Sequence, residues 1–441
     1  MAYDKAWVIS ANMGLGHQRA VYPLRDTAHN GIRLFGDDLV SSSKERRLWM
    51  IFQKSYEFLS RTRNLPLIGP PLFSILERVQ NISPYYPFKD RSQPSLQVKS
   101  LYSLIKGGMG HGLSTLLSSE RLPVITSFYA AAIAVEELTD LPIYCIICDA
   151  DINRVWVSKD PKKSRIVYFV PCGRAMRRLK QYGVPDNRIF VTGFPLPDEN
   201  IGGLSMHILK RDLSQRLERL DPTGHFSIIH GEEVAHYLGR TQYSIKRPEF
   251  ITVTYAVGGA GAQTEIARDV VKGLMPHIKA GKVKLNLVAG IRENVRQNFE
   301  NYLDKIGLIG LSNNEAVRII HDNSFDRYYS KFCDILHTTD ILWTKPSELS
   351  FYCGLGLPII MAPCIGPHEA ANKMWLQEIG AGIPQVEPKY CGEWLMDYLI
   401  DGRFAQAAWD GFLYARSMGK YKIREVLTTG SMTREVSPVK R

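Results

Sequence analysis

The chain has 441 residues, 45% of them hydrophobic and 22% charged, which is ordinary globular composition and long enough for two domains of about 200 residues each. No apolar run reaches the ~18 residues of a membrane-spanning helix, and "MAYDKAWVIS" has neither the basic region nor the cleavage site of a signal peptide, so a cytoplasmic location is expected. The formal net charge of +11 fits an anionic partner: nucleic acid, an anionic lipid surface or a phosphorylated substrate.

In chain order, "KAWVISANMGLGHQRAVYPLRDTA" reads as an apolar strand ending in a Gly-x-Gly turn that opens a helix. A short strand is expected at "GDDLVS". From about residue 44 to 120 aromatic, basic and proline residues mix in an inserted, helical region. Regular units resume with strand "LPVITSF", helix "YAAAIAVEEL", strand "LPIYCIICDAD", strand "IVYFVP", helix "GRAMRRLKQYGV" and strand "RIFVTGFP". Cys145 and Cys148 form a C-x-x-C inside an apolar run; with no second pair at zinc spacing they read as core thiols. Strands alternating with helices imply a mostly parallel sheet. Residues 1–197 are read as one domain, 198–248 as an interdomain connection with an embellishment, 249–427 as a second domain and 428–441 as a flexible tail. The second domain restarts with "EFITVTYAVGGAGAQTEIARDVVKGL", again strand, glycine turn and helix, and continues through strands "KLNLVAG", "VRIIHD" and "ILWTK".

Both glycine turns let a backbone approach a ligand, and the amides at the following helix start favour an anion. Gly258, Gly259 and Gly261 before Gln263 and Thr264 form a candidate phosphate cradle, though either turn is equally readable as a tight structural loop. Neither turn spells the full dinucleotide fingerprint or a Walker ending. After "ILWTK", Pro346 and Ser347 read as a helix start with Ser347 as N-cap and the amides of Glu348, Leu349 and Ser350 unused. "GLGLPIIMAP" then enters a buried strand, and "CIGPHEAANKMWL" leaves it toward a helix, placing His368 and Glu369 at the same sheet edge.

These stretches, in this order, resemble a GT-B glycosyltransferase. The likeness is to the group of monogalactosyldiacylglycerol synthase, processive diacylglycerol glucosyltransferase and the peptidoglycan lipid-intermediate N-acetylglucosaminyltransferase. It rests on "MGLGH", "CDAD", "FVPCGRAMRRLKQYGVPDNRIFVTGFP", "VGGAGA", "AGIRENV" and "TKPSELS…GLGLPIIMAPCIGPHEAANKMWLQEIGAG". The resemblance implies two Rossmann-like domains facing a cleft, the C-terminal one binding a nucleotide-diphospho-sugar, commonly a UDP-sugar, and the N-terminal one the acceptor. By position, Gly258, Gly259 and Gly261 line the diphosphate loop. Ser347 and Ser350 lie at a second anion site, and His368, Glu369 and Asn372 near the donor sugar and phosphates. Gly14, Gly16 and His17 face the cleft from the acceptor side, and "AGIRENV" passes the nucleobase. The chain departs from the pattern where relatives have Gly-Gly or Ser-Gly after Lys-Pro and a glutamate one turn later: here Glu348 comes early. It departs again where Pro-His-Glu stands for Gly-Gln-Glu, which leaves the choice of sugar open.

The activity this implies is metal-independent, inverting transfer of a hexosyl group from a nucleotide-sugar co-substrate to a lipid or other hydroxyl acceptor. The alternatives are a non-hydrolysing nucleotide-sugar 2-epimerase and a non-catalytic sugar-nucleotide-binding protein. A departing diphosphate needs amides and a cation, for which Lys345 and Arg292 are candidates, each equally readable as a structural ion pair. A base must reach the acceptor hydroxyl, for which His17, Asp149 and Asp151 are candidates. Asp149 and Asp151 also spell D-x-D, the metal site of the other large glycosyltransferase fold, but in the wrong domain for donor phosphates, so no metal is expected. His111 in "GGMGHGL" is equally suited to a flexible loop.

In the insertion, Trp49, Phe52, Tyr56 and Leu59 fall at helical spacing among Arg46, Arg47, Lys54, Arg61 and Arg63. That pattern suits either an amphipathic helix packed on its own domain or a peripheral contact with an anionic membrane or lipid acceptor. No nucleic-acid module accompanies the charge, so no nucleic-acid partner is expected. The sequence does not name the sugar, the acceptor or the oligomeric state.

Overall fold

A computed structural model describes residues 3–61, 82–239, 250–258, 263–308 and 316–441. The chain divides into two compact units. Unit 1 comprises Met1–Pro195, Ile365–Asn372 and Met418–Glu435; unit 2 comprises Leu196–Cys364, Lys373–Ser417 and Val436–Arg441.

Unit 1 is built on a parallel sheet of six strands: β1 (Ala6–Ala11), β2 (Ala28–Phe35), β3 (Val124–Thr126), β4 (Ile143–Ile146), β5 (Val167–Phe169) and β6 (Ile189–Phe190). Their order is β2-β1-β3-β4-β5-β6, so the winding reverses between β1 and β3. The helices are α1 (Leu15–Val21), α2 (Ser43–Arg61), α3 (Leu96–Lys106), α4 (His111–Leu117), α5 (Tyr129–Leu138) and α6 (Gly173–Gln181). Val8, Ile9, Ile125, Phe128, Ile133 and Leu179 are fully buried. Side chains of this size stabilise a fold by about 1.5–3 kcal/mol each when removed from water.

The strand expected at "GDDLVS" lies earlier, at Ala28–Phe35, and Gly36–Ser41 is turn and coil. The reason is its place at the sheet edge: a strand with one partner need not be apolar, and "AHNGIRLF" is half exposed. Part of α2 packs on its own unit. Trp49 is buried, stacks on Phe52 with ring centroids 5.6 Å apart, and meets Phe35 and Phe128 edge-on. The side chains of Tyr56, Leu59 and Arg61, and Arg63 altogether, lie outside the described residues.

Unit 2 holds a second six-stranded parallel sheet: β7 (Ile251–Ala256), β8 (Val283–Gly290), β9 (Val317–His321), β10 (Ile341–Thr344), β11 (Ile359–Met361) and β12 (Gly382–Pro384). Read as β9-β8-β7-β10-β11-β12, this is the 3-2-1-4-5-6 order of a Rossmann sheet, with its switch point between β7 and β10. The expected class, two Rossmann-like α/β domains in one chain, is what the two sheets form. Before the sheet come α7 (Asp198–Ile201), α8 (His207–Leu220) and α9 (His225–Leu238), so much of the polar stretch after Pro197 is helix. Its apolar stripe, Leu209, Leu213, Leu217 and Leu220, is buried. The remaining helices are α10 (Thr264–Lys279), α11 (Glu293–Lys305), α12 (Phe325–Leu336), α13 (Pro367–Glu378), α14 (Cys391–Ile400), α15 (Arg403–Tyr414) and α16 (Gly419–Thr429). Helix α16 packs with unit 1, where Tyr3 N–H donates to Leu427 O at 3.4 Å. Within residues 428–441 Val439 is buried and Arg441 donates to Leu413 O at 3.1 Å. Among the described residues no helix is long and apolar enough to cross a membrane.

Candidate functional site

Parallel sheets bind ligands beyond their carboxyl ends at the switch point, because there two neighbouring connections leave in opposite directions and open a crevice. In unit 1 that place lies beyond β1 and β3. Gly14, with φ +109, opens the turn after β1 where a side chain would be strained, and Gly16 and His17 follow on α1. His17 Nδ1 lies 2.7 Å from Ser127 O, just past β3, and Ser127 Oγ donates back to His17 O at 2.7 Å. A carbonyl oxygen only accepts, so Nδ1 carries a proton and the neutral ring keeps its lone pair on Nε2. Phe128 meets the imidazole edge-on with centroids 5.2 Å apart, and Trp156 lies at 6.1 Å. Sequence reasoning missed Ser127; its signal was a serine ending the otherwise apolar strand run "LPVITSF".

The Asp149–Asp151 pair follows β4, and its two carboxylates do different things. Asp151 is 1% exposed and is gripped by Arg178 of α6 through two bonds of 2.6 and 2.9 Å, with Arg174 at 3.5 Å. That grip corrects its place among the groups expected to face a ligand: it is a buried structural acid, because a carboxylate bound by two guanidinium groups favours its charged form and is a poor proton acceptor. Asp149 is half-buried and accepts a bond from Asn372 Nδ2 at 2.9 Å, while Asn372 Oδ1 accepts from Ala150 N–H at 2.7 Å. Asn372 is fully buried, and these two bonds hold the loop after β4.

Residues 365–372, expected beside the donor sugar, belong to unit 1. Glu369 is 1% exposed and turns back to accept the N–H groups of Ile365 and Gly366, the capping-box arrangement at the start of α13. His368 is about half exposed, with its ring over Gly366 and Nε2 3.8 Å from Glu369 Oε1.

In unit 2 the switch point is cationic. Gly258 follows β7 and Lys345 follows β10. A Cβ placed on Gly258 would sit 2.4 Å from Lys345 Cε and 3.2 Å from its Nζ, so the lysine stem runs through the space that a larger residue would fill. Gly259 and Gly261 lie outside the described residues. Helix α10 starts at this turn without a side-chain cap: Gln263, at φ +71, sends Nε2 to Pro363 O at 2.7 Å, and its carbonyl accepts from Tyr255 OH at 2.9 Å. An uncapped helix start beside an ammonium group suits an anion.

The segment after Lys345 forms a 3-10 helix over Glu348–Leu355. Ser347 stands at its N-cap, as expected, but makes no side-chain cap bond there. Ser350 N–H is consumed by Ser347 O at 2.9 Å, a consequence of 3-10 rather than α geometry. Ser350 Oγ is fully buried and makes no hydrogen bond, and Glu348 is buried. Arg292 is exposed at the N-cap of α11, at the end of β8, one strand away from the switch point. Among the described residues no cluster of three or more His, Cys, Asp or Glu is placed to hold a metal ion.

A family described as "Domain of unknown function (DUF6938)" matches residues 239–334 and 310–402. No curated protein sequence matches the chain. Among solved structures it is similar to the S. aureus MnaA–UDP co-structure, at 9% identity and TM-score 0.49, covering 99% of this chain and 100% of that one. It is similar to UDP-GlcNAc 2-epimerase from Methanocaldococcus jannaschii, at 13% identity and TM-score 0.43, covering 96% and 98%. It is also similar to Phytolacca americana UGT2 complexed with UDP-2-fluoro-glucose and pterostilbene, at 10% identity and TM-score 0.43, covering 93% of each. At such identities and scores these likenesses assign no activity to this chain.

Proposed function

We propose that the protein is a glycosyltransferase that moves a sugar from a nucleotide-diphospho-sugar, a UDP-sugar, to a hydroxyl acceptor. The observation that carries this reading is Lys345 lying across Gly258 at the switch point of a 3-2-1-4-5-6 sheet. A diphosphate is the ligand that an ammonium group and an uncapped helix start recognise together, and the countercharge comes from the protein itself. Ser347 and Ser350 add hydroxyls to that anion site.

In unit 1, His17 is the base. The acceptor oxygen attacks the anomeric carbon, its proton passes to His17 Nε2, and the bond from that carbon to the phosphate oxygen breaks. The electron pair leaves on the nucleoside diphosphate, whose new charge Lys345 and the α10 amides stabilise. Nδ1, bound to Ser127 O, keeps the lone pair on the nitrogen the step uses.

The outer face of α2 extends the reading to a lipid acceptor. Exposed Met50 and Ile51 stand among exposed Arg46, Arg47 and Lys54, the mixture that suits an anionic bilayer surface. Sedimentation with vesicles containing an anionic lipid, but not with neutral ones, is expected. Equal sedimentation with both, or with neither, would remove this part.

The main reading is tested by calorimetric titration with UDP-, GDP- and dTDP-sugars, with and without a divalent metal, followed by product analysis. Metal-independent binding of one donor and transfer to an added acceptor are expected. A changed free sugar nucleotide would assign an epimerase instead. Binding without turnover would leave a sugar-nucleotide-binding protein.

A further inference from the structure

Runs of 3-10 helix longer than about four residues are uncommon, because their hydrogen bonds are poorly aligned. Glu348–Leu355 is eight residues long, entirely buried, and carries the proposed anion-binding hydroxyls at its start. Something outside it must hold it. At its far end Gly356 turns left-handed, with φ +67, and its N–H bonds Cys353 O at 2.8 Å. There α8 seats the helix with two residues of one face, Leu213 and Arg216. A Cβ on Gly356 would fall 2.4 Å from Leu213 Cδ1.

Arg216 is 1% exposed, and the hydrogen bonds its guanidinium makes all go to backbone carbonyls. Nη1 donates to Leu355 O at 2.9 Å and Gly356 O at 3.2 Å, closing the end of the 3-10 helix. Nε donates to Thr339 O at 2.7 Å and Nη2 to Leu336 O at 3.1 Å, anchoring it to the segment that leads into β10. Thus one side chain ties the chain before β10 to the chain at the end of the 3-10 helix, and Lys345 lies between those two points. The neighbouring acid Asp340 is bonded instead to Arg219 at 2.7 Å and Thr252 N–H at 2.8 Å.

A buried charge bonded to no carboxylate is an expensive way to fill a core, and apolar residues of similar volume usually serve as well or better. Burial pushes the Arg216 guanidinium down to about 10, which still leaves it charged at neutral pH. What apolar residues cannot do is bind four carbonyls from three places along the chain.

We infer that Arg216 is a positioning residue for the nucleotide-diphosphate site, holding the 3-10 helix so that Lys345, Ser347 and Ser350 stand where a diphosphate binds. This rests on the nucleotide-sugar reading above. Lysine cannot replace it, since three donors on one nitrogen do not span carbonyls that a planar fork reaches from three sides.

The test compares R216K with R219K, a change on the same helix that touches Asp340 but none of these carbonyls. UDP is the probe, with calorimetric affinity, melting temperature and amide hydrogen exchange as readouts. R216K is expected to weaken UDP by about tenfold or more and to speed exchange across residues 348–356. R219K is expected to lower the melting temperature with UDP affinity unchanged. Equal UDP affinity in wild type and R216K, or equal weakening by both variants, would overturn the proposal. Should R216K not fold, the wild type decides: bound UDP must slow exchange at residues 348–356 and at 213–217 of α8 together. Protection confined to the turn after β7 would overturn it. Wild type that binds no nucleoside diphosphate would instead remove the functional reading on which the inference stands.

Discussion

In unit 1 the strands flanking the switch point end at Ala11 and Thr126, and a neutral pair, His17 and Ser127, joins the segments that follow them. In unit 2 the corresponding strands end at Ala256 and Thr344, and the residues that meet beyond them are a glycine and a lysine. Topology supplies the same crevice twice, since reversal of the winding direction opens it wherever it occurs. The side chains decide its use. A ring with one nitrogen tied to a carbonyl is prepared to take a proton; an ammonium group beside an uncapped helix is prepared to hold an anion. The contrast also explains why the glycines differ. Gly14 has no neighbour within 4 Å of a built Cβ and is required by its backbone angle, whereas Gly258 is required by the lysine lying across it.

The largest expected effect tests the neutral site. His17→Gln is expected to lower turnover by about 10²- to 10⁴-fold, the usual contribution of a positioned base, with UDP affinity held within about twofold. Loss of UDP affinity as well would break the division of labour between the two sites. Lys345→Ala tests the cationic one. It removes a charge-assisted contact of about 1.5–3 kcal/mol and so is expected to weaken UDP by about 10- to 100-fold in calorimetry. An unchanged affinity would mean that Lys345 is only packing against Gly258.

Ser350→Ala is smaller and has a sign that separates the readings. Removing a buried hydroxyl that has no partner is expected to stabilise the folded protein by up to about 1 kcal/mol, raising the melting temperature by about 2–4 °C. UDP affinity should fall a few-fold at the same time. A gain in stability with no loss of affinity would make Ser350 a core residue and shrink the anion site to Lys345 and the α10 start.

Much of this is legible in the amino-acid sequence. Apolar runs ending in Gly or Ser mark the central strands, whose residues are buried on both faces and must therefore be apolar. β2 escapes because an edge strand carries little of that signal. Side-chain partners escape because they come from far along the chain. Asp149 and Asp151 look alike in "CDAD", yet Asp151 finds Arg178 27 positions later while Asp149 meets Asn372 223 positions later. His17 meets Ser127 across 110 positions, and no local pattern announces such a pair. The 3-10 helix is hidden for another reason: "ELSFYCGL" carries apolar residues at nearly every place, and what sets its geometry is Arg216, over a hundred positions earlier.

The smallest effect separates the pH dependence of stability from that of chemistry. Asp26 precedes β2, at the amino edge of the unit 1 sheet opposite His17. Burial raises its carboxyl, but Lys420 at 3.0 Å and Arg424 at 3.3 Å outweigh burial, and the net shift is downward. A carboxyl lowered on folding contributes stability above its unfolded value of about 3.9, and the contribution is lost as pH falls through the lower folded value. Asp26 is 45% exposed, so screening limits the effect to about 0.5 kcal/mol or less. Asp26→Asn is therefore expected to show a small deficit in urea unfolding at pH 7 that fades toward pH 3 and shrinks in 1 M salt, the range over which charge pairs are screened. Its turnover should keep the wild-type pH profile, because that profile belongs to His17. A shifted profile would mean that the amino edge and the switch point of the same sheet are electrostatically coupled, and the neutral site would then not be set by the Ser127 carbonyl alone.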